Sequence, residues 1–244
     1  MKTLVEYLDR HKHKPIQKVY NYSPSTRDEL ISIIKDRIKE KGKNCDLNDI
    51  DVSKIKDMSW LFYKLNFNGD ISEWDVSNVE DMDYMFVYSK FNGDISEWDV
   101  SNVKNMFGMF HTSKFNGDIS KWDVSGVKYM TCMFFNSKFN GDISNWDVSN
   151  VEGMGSMFFN SNFSGDISKW DVSKVKFVNN MFADSKFNGD ISNWDVSNVE
   201  DMDFMFKNSN FSGDISNWDV SKVKHMISMF KDSPLENNPP KWYK

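Results

Sequence analysis

Phe67-Asn68-Gly69-Asp70-Ile71-Ser72-Glu73-Trp74-Asp75-Val76-Ser77, followed by Asn78-Val79-Glu80-Asp81-Met82-Asp83-Tyr84-Met85-Phe86, returns every 24 residues. Phe67, Phe91, Phe115, Phe139, Phe163, Phe187 and Phe211 open seven copies. A period of this length marks a solenoid, in which each repeat buries its apolar face only against its neighbours. Working back 24 residues, Asp51-Val52-Ser53, Ile55, Met58 and Phe62 fall on their counterparts, so a degenerate repeat precedes the first full one. Working forward, Leu235 takes the Phe slot and Trp242 the Trp slot, with Pro239 and Pro240 between them. Proline donates nothing to a strand ladder, so the array is expected to end there.

The organisation read from the chain is an N-terminal helical cap over residues 1–43, eight repeats over 44–233 with the first degenerate, and a truncated capping repeat over 234–244. Residues 1–22 read as a short amphipathic helix and a basic connector. Ser25 and Thr26 ahead of Asp28 and Glu29 form a capping-box pattern, Leu30, Ile31, Ile34 and Ile38 keep helical spacing, and Gly42 stands at the helix end. That helix has one apolar face and no partner in its own segment, which predicts that it covers the open end of the array. Within a repeat, Phe67, Gly69 and Ile71 alternate with polar residues, which predicts a short strand. Val79, Met82, Met85 and Phe86 suit a short helical turn facing the core.

The net charge of −6 conceals an asymmetry of +5 over residues 1–43 and −11 over 44–244. An acidic array argues against nucleic acid, whose phosphates demand Lys and Arg. No apolar run has the length of a signal peptide or a membrane span, so the expectation is a cytoplasmic protein without membrane contact. Cys45 and Cys132 lie 87 residues apart. At strand spacing that is about 17 Å, beyond disulfide reach, so both are expected to be free thiols.

The Trp-Asp-Val-Ser, the spaced methionines and the closing Met-Phe together resemble the BspA-type leucine-rich-repeat proteins. The nearest branch is that of bacterial surface-protein and mycoplasma-lipoprotein repeats. The resemblance covers roughly residues 44–233. It implies adhesion or protein binding without catalysis, and only by that resemblance a surface location. The expected fold class is accordingly α/β: a right-handed leucine-rich-repeat-like solenoid of short parallel strands and short helical turns.

Two aspartate columns recur. One is Asp70, Asp94, Asp118, Asp142, Asp166, Asp190 and Asp214; the other is Asp75, Asp99, Asp123, Asp147, Asp171, Asp195 and Asp219. Charges stacked at strand spacing repel by about 0.9 kcal/mol in water and about 3.5 kcal/mol at an effective dielectric of 20, so something must offset them. Hydrogen bonding to nearby backbone N–H groups in turns is the main expectation, with a row of Ca²⁺ sites the alternative. Trp74 and its counterparts read as packed core, and the Met columns as fillers against aromatic rings.

His11, His13, His111 and His225 share no metal-ligand spacing, and no nucleophile, phosphate-loop or Cys–His pattern occurs. No catalytic residue, cofactor or enzyme activity is expected. What varies between copies is the set of slots at Asp81, Asp83, Tyr84 and Val87, which become Phe107, Tyr129, Phe135, Phe159 and Phe177 in the middle repeats. These five are the candidate partner-binding residues if exposed, or packing between neighbouring turns if not. The expected function is a non-enzymatic protein-binding scaffold, monomeric with self-association left open. The alternatives are a structural component of a mobile element or virus particle, and a Ca²⁺-dependent adhesion module.

Overall fold

The computed structural model describes residues 18–244. The short helix expected within residues 1–22 falls mainly outside them, and residues 18–22 are not helical. Helix α1 (Arg27–Lys41) is the one helix among the described residues. Thr26 caps it: its hydroxyl accepts the Glu29 N–H at 3.3 Å while Glu29 reaches back to the Thr26 N–H, and Gly42 closes the far end at φ 85°. Leu30 and Ile34 are fully buried and join the core of the array, so α1 lies on its N-terminal end. Arg37 is buried beside them, with its Nη2 donating to both carboxylate oxygens of Asp49 at 3.0 and 3.1 Å.

The rest is a stack of 24-residue coils, and here the α/β expectation is corrected. Among the described residues no strand forms, and the coils contain no helical turn; isolated parallel bridges link each coil to the next at the Asp81 slot, from Asp57 through to His225. The coil Phe115–Lys138 shows what replaces them. Five successive turns close through i→i+3 bonds, from Ile119 O to Trp122 N, Val124 O to Val127 N, Met130 O to Met133 N, Cys132 O to Phe135 N and Phe134 O to Ser137 N. Apolar spacing of three and four suits such turns as well as a helix, and backbone geometry decides. Cys132 and Asn136 are left-handed, at φ 59° and 48°, as are the residues in the same two slots of every coil. A left-handed residue stops a helix and suits the third position of a tight turn.

The remaining N–H groups of this segment point along the stack. Met130, Cys132, Phe134 and Asn136 donate to Gly153 O, Gly155 O, Met157 O and Phe159 O at 2.8–3.0 Å. The same four bonds recur between every adjacent pair of coils, forming four continuous peptide chains that all donate toward the C-terminal end. A fifth chain, through the Glu80 slot, runs the opposite way.

At Phe67–Ile71 the backbone pairs with the degenerate coil, Asn68 N donating to Lys43 O and Asp70 N to Cys45 O, but only an isolated bridge results, and the pairing does not continue along the stack. In the central coils the ladder N–H is taken by a side chain: Asn116 N donates to Asn92 Oδ1, and Asn140 N to Asn116 Oδ1, both at 2.7 Å. The coils stand too far apart here for a backbone ladder. Phe115 and Phe139 stack at 6.3 Å, against about 4.8 Å between paired strands. On the opposite side Phe135 and Phe159 stack at 4.6 Å, and Phe134 and Phe158, between them, at 5.8 Å. The coils therefore fan, and the turn face lies on the inside of the bend.

Two columns of phenylalanine fill the centre, zipped together within each coil: Phe134 and Phe139 are 4.2 Å apart and almost parallel. Glycine at position 141 is what lets Phe139 fold over its own backbone, since a Cβ there would stand 2.9 Å from the ring. Each tryptophan from Trp74 to Trp218 is buried, as expected, and also bonded: Trp146 Nε1 donates to Ile119 O in the preceding coil at 3.1 Å. The bond recurs from Trp74 to Trp242.

The left-handed slots are unevenly filled. Asn136, Asn160 and Asn208 accept that conformation readily, whereas Thr112, at φ 52°, is β-branched. Thr112→Asn is expected to stabilise the protein by about 1 kcal/mol, or about 2–4 °C in Tm for a chain of this size. The new amide carbonyl would also take over from the Thr112 hydroxyl as acceptor of Asn136 Nδ2, keeping the side-chain ladder in which Asn160 Nδ2 donates to Asn136 Oδ1. A Tm at or below that of the wild type in a thermal melt would contradict the strain argument.

Candidate functional site

The variable slots line the inside of the bend, next to the four peptide chains. Tyr129 and Phe177 are exposed, at 48% and 46%, and occupy the same slot two coils apart. Gly153 lies between them with no side chain, so the two rings flank a notch about 10 Å wide, two ladder steps. The other three candidates are half-buried. Phe107 meets the Tyr84 ring edge-on at 5.0 Å. Phe135 is sandwiched between His111 at 4.5 Å and Phe159 at 4.6 Å. Both readings of these slots thus hold, for different residues: Tyr129 and Phe177 form an outward patch, while Phe107, Phe135 and Phe159 pack between neighbouring turns and expose an edge.

The band continues where the sequence reading did not look. Trp60 stacks on Tyr84 at 4.4 Å and meets Tyr63 edge-on at 5.3 Å, and Tyr88 touches His111 at 5.7 Å. Lys64 Nζ sits 4.8 Å from the Tyr63 ring centre and 5.6 Å from that of Tyr88. Trp60, Tyr63 and Tyr88 are all exposed. They stand in the same variable slots or the one beside them, and comparing every copy rather than the middle ones would have found them. The N-terminal and middle coils therefore carry a continuous aromatic surface. Toward the C-terminus its slots turn mostly polar, with Asn179, Asn180, Asp203 and Lys207.

A charged strip borders this surface. Glu80 holds Lys56 and Lys104 at 3.0 and 3.1 Å, Glu152 holds Lys176 at 3.0 Å, and Glu200 holds Lys224 at 2.6 Å, each between adjacent coils. A groove beside Phe177 is lined by Glu152, Lys174, Lys176, Asn198, Glu200 and Lys222.

The aspartate columns close turns. Asp118 Oδ1 accepts Ser120 N at 2.9 Å, and Asp123 Oδ1 accepts Ser125 N at 3.0 Å, a pattern that repeats along both columns. These bonds hold carboxyls such as Asp118, Asp142, Asp166, Asp190 and Asp214 below the ordinary range. No group of three or more His, Cys, Asp or Glu placed to hold a metal ion occurs among the described residues. His111 is half-buried and its pKa is lowered by burial, His225 is exposed, and His11 and His13 lie outside the described residues. Cys45 and Cys132 are free thiols.

Asp83 runs the other way. Its Oδ1 is buried without a partner, and burial, followed by the charges of Asp81 and Asp57, pushes its pKa up to about 6. A carboxyl raised in the fold favours the protonated native state, so its contribution is present at low pH and lost as pH rises through about 6. Asp118, Asp142, Asp166, Asp190 and Asp214, held low, contribute above the ordinary carboxylate range and lose that contribution as pH falls below it. Asp83→Asn is expected to raise Tm at pH 8 and to flatten the fall between pH 4 and 6.5, leaving acid unfolding unchanged. Thermal melts across that range decide it; a lower Tm for the variant at pH 8 would show that the charge is welcome.

A tandem stack of near-identical coils is what the family comparison also finds. The chain belongs to the family described as "Mycoplasma protein of unknown function, DUF285". The match runs over residues 34–138 and again over 132–242, so it takes in almost all of the stack and the C-terminal half of α1. No curated protein and no solved structure matches the chain. For this DUF285 member the family fixes the tandem repeat, and the aromatic slots are among the positions where its coils differ from one another.

Proposed function

We propose that this DUF285 chain is a non-enzymatic scaffold that binds a protein partner on the inside of its bend. The observation that supports this is the exposure of Tyr129 and Phe177 at slots the coils do not need for stacking, since Asp, Asn, Gly or His fills the same slot in the other coils. Exposed aromatic rings around a notch are the usual anchors of protein recognition. The rigid floor beneath them, four hydrogen-bonded chains deep in aromatic packing, keeps the rings in place without a partner. The repeat phrase also supports a wider kinship with BspA-type adhesion proteins at the level of sequence. The two free thiols fit a reducing compartment.

The test uses the double variant Tyr129→Ser/Phe177→Ser. Crosslinking in the native host, followed by measurement of the captured partner with purified components, should show at least a tenfold loss of affinity, about 1.4 kcal/mol or more. Tm should stay within about 2 °C of the wild type, because neither ring belongs to the core. Unchanged affinity with the identified partner would move the binding surface elsewhere.

A further inference from the structure

Tyr129 and Phe177 stand two coils apart, and that spacing selects what can lie across them. The stacked rings nearby, His111, Phe135 and Phe159, advance by 4.5 and 4.6 Å per coil, so two coils span about 9–10 Å. A segment running along the stack must present same-side groups at that interval, one in the notch and the next beyond Phe177. A polyproline II helix does so: three residues per turn, at about 3.1 Å each, put residues i and i+3 on one side about 9.3 Å apart. A β-strand repeats a side at about 6.6 Å, and an α-helix brings a neighbour onto the same face every 5–6 Å or so, which drives side chains into a ring.

The backbone favours the same occupant. Tyr129 O, Gly153 O and Phe177 O already accept the N–H groups of Met106, Met130 and Met154 at 2.9–3.0 Å, so the notch presents no strand edge to extend. A polyproline II segment needs none, because it makes no internal hydrogen bonds and keeps its carbonyls free. One donor is placed to meet such a carbonyl. A Cβ on Gly153 would stand 3.2 Å from Thr131 Oγ1, so that hydroxyl borders the space the glycine leaves open.

Charge adds a second requirement. In the groove beside Phe177, Lys176 is held by Glu152, and Glu200 holds Lys224. Lys174 and Lys222 have no carboxylate partner among the described residues; their Nζ atoms donate to the neutral amides of Asn150 and Asn198 at 2.7 and 2.5 Å. These two lysines are also two coils apart, the interval of the rings. We propose that the notch and the groove together take a proline-rich, acidic segment of the partner in the polyproline II conformation. A proline enters between Tyr129 and Phe177, and carboxylates one helical turn apart reach Lys174 and Lys222. This deepens the protein-binding reading of the same face and rests on it. A segment whose shape is set beforehand loses little freedom on docking against aromatic rings.

The experiment titrates fluorescein-labelled peptides with the full chain and follows anisotropy. The probe is four Pro-Leu-Asp triplets, which set prolines along one side of the helix and aspartates along another. One control replaces every proline by glycine, the other every aspartate by lysine. The probe is expected to bind saturably and about tenfold or more tighter than either control. Gly153→Phe gives the slot the same ring it carries at Phe177, enlarging the aromatic face while closing the notch, and should weaken the probe about tenfold. Lys174→Glu/Lys222→Glu should weaken it similarly and restore binding of the lysine peptide. Circular dichroism of each variant verifies that the stack is intact. Absence of saturable binding by the probe, equal binding of either control, or unchanged binding by Gly153→Phe would overturn the proposal. The broader reading would survive that result if the captured partner still lost affinity for Tyr129→Ser/Phe177→Ser, so the two failures are told apart.

Discussion

Replacing Phe134 by alanine is expected to remove about 3–5 kcal/mol of stability. The ring is fully buried and touches four others: Phe110 and Phe158 at 5.8 Å above and below, Phe139 at 4.2 Å and Trp146 at 6.4 Å. A void here opens onto both neighbouring coils, and no flexible element is near enough to close it. Each coil is coupled only to the next, so the damage should not spread evenly. Urea unfolding followed by tryptophan fluorescence and circular dichroism is expected to lose its single transition and to separate into two. A single transition with less than about 1 kcal/mol lost would mean that the phenylalanine columns are dispensable.

Trp146→Phe should cost about 1–3 kcal/mol although the ring remains aromatic. The indole N–H gives Ile119 O a second bond at 3.1 Å, beside the one from Trp122 N, in a site where Trp146 is only 4% exposed. Phenylalanine leaves that carbonyl the Trp122 N–H alone, and the lost bond costs about 0.5–1.5 kcal/mol before the lost ring volume is added. The same change at Trp242, half-buried on the last coil, gives water a route to the carbonyl and should cost less. Equal losses at the two sites would indicate that ring volume alone matters.

Period, core and capping were legible in the sequence because each rests on residue type alone. Trp, Phe and Met recur at fixed slots, and every coil must solve the same packing problem; Thr26 and Glu29 announce the start of α1. The aspartates were legible for a similar reason, as a short carboxylate two residues before a serine has few other partners. The strand and the helical turn were not. Alternating Phe67, Gly69 and Ile71 fits a strand, and nothing in that alternation says that from the next coil onward an Asn side chain replaces the backbone ladder. The left-handed slots were masked because Trp60, Tyr84, Thr112, Cys132 and Phe204 occupy them, residues that do not ordinarily signal that conformation. Only Gly108, the asparagines at 136, 160, 180 and 208, and the aspartates at 184 and 232 gave a hint. The aromatic candidates could be picked out by slot, but their exposure depends on the neighbouring coil: Gly153 leaves Tyr129 and Phe177 standing out, whereas His111 and Phe159 enclose Phe135.

Near-identical coils face a hazard that ordinary domains do not, because any coil fits almost as well on its next-but-one neighbour, with a whole repeat looped out. The strip of ion pairs bears on this. Its slot reads Lys56, Glu80, Lys104, Lys128, Glu152, Lys176, Glu200, Lys224. In the native order six of the seven adjacent pairs are opposite in charge. With every other coil omitted from contact, four of the six resulting pairs are alike. Each exposed pair is worth at most about 1 kcal/mol, which adds little to the finished structure. The sign nevertheless reverses with the skip, and the penalty falls on the misregistered chain while it is still assembling. In a molecule whose buried faces are all alike, the exposed lysines and glutamates keep count.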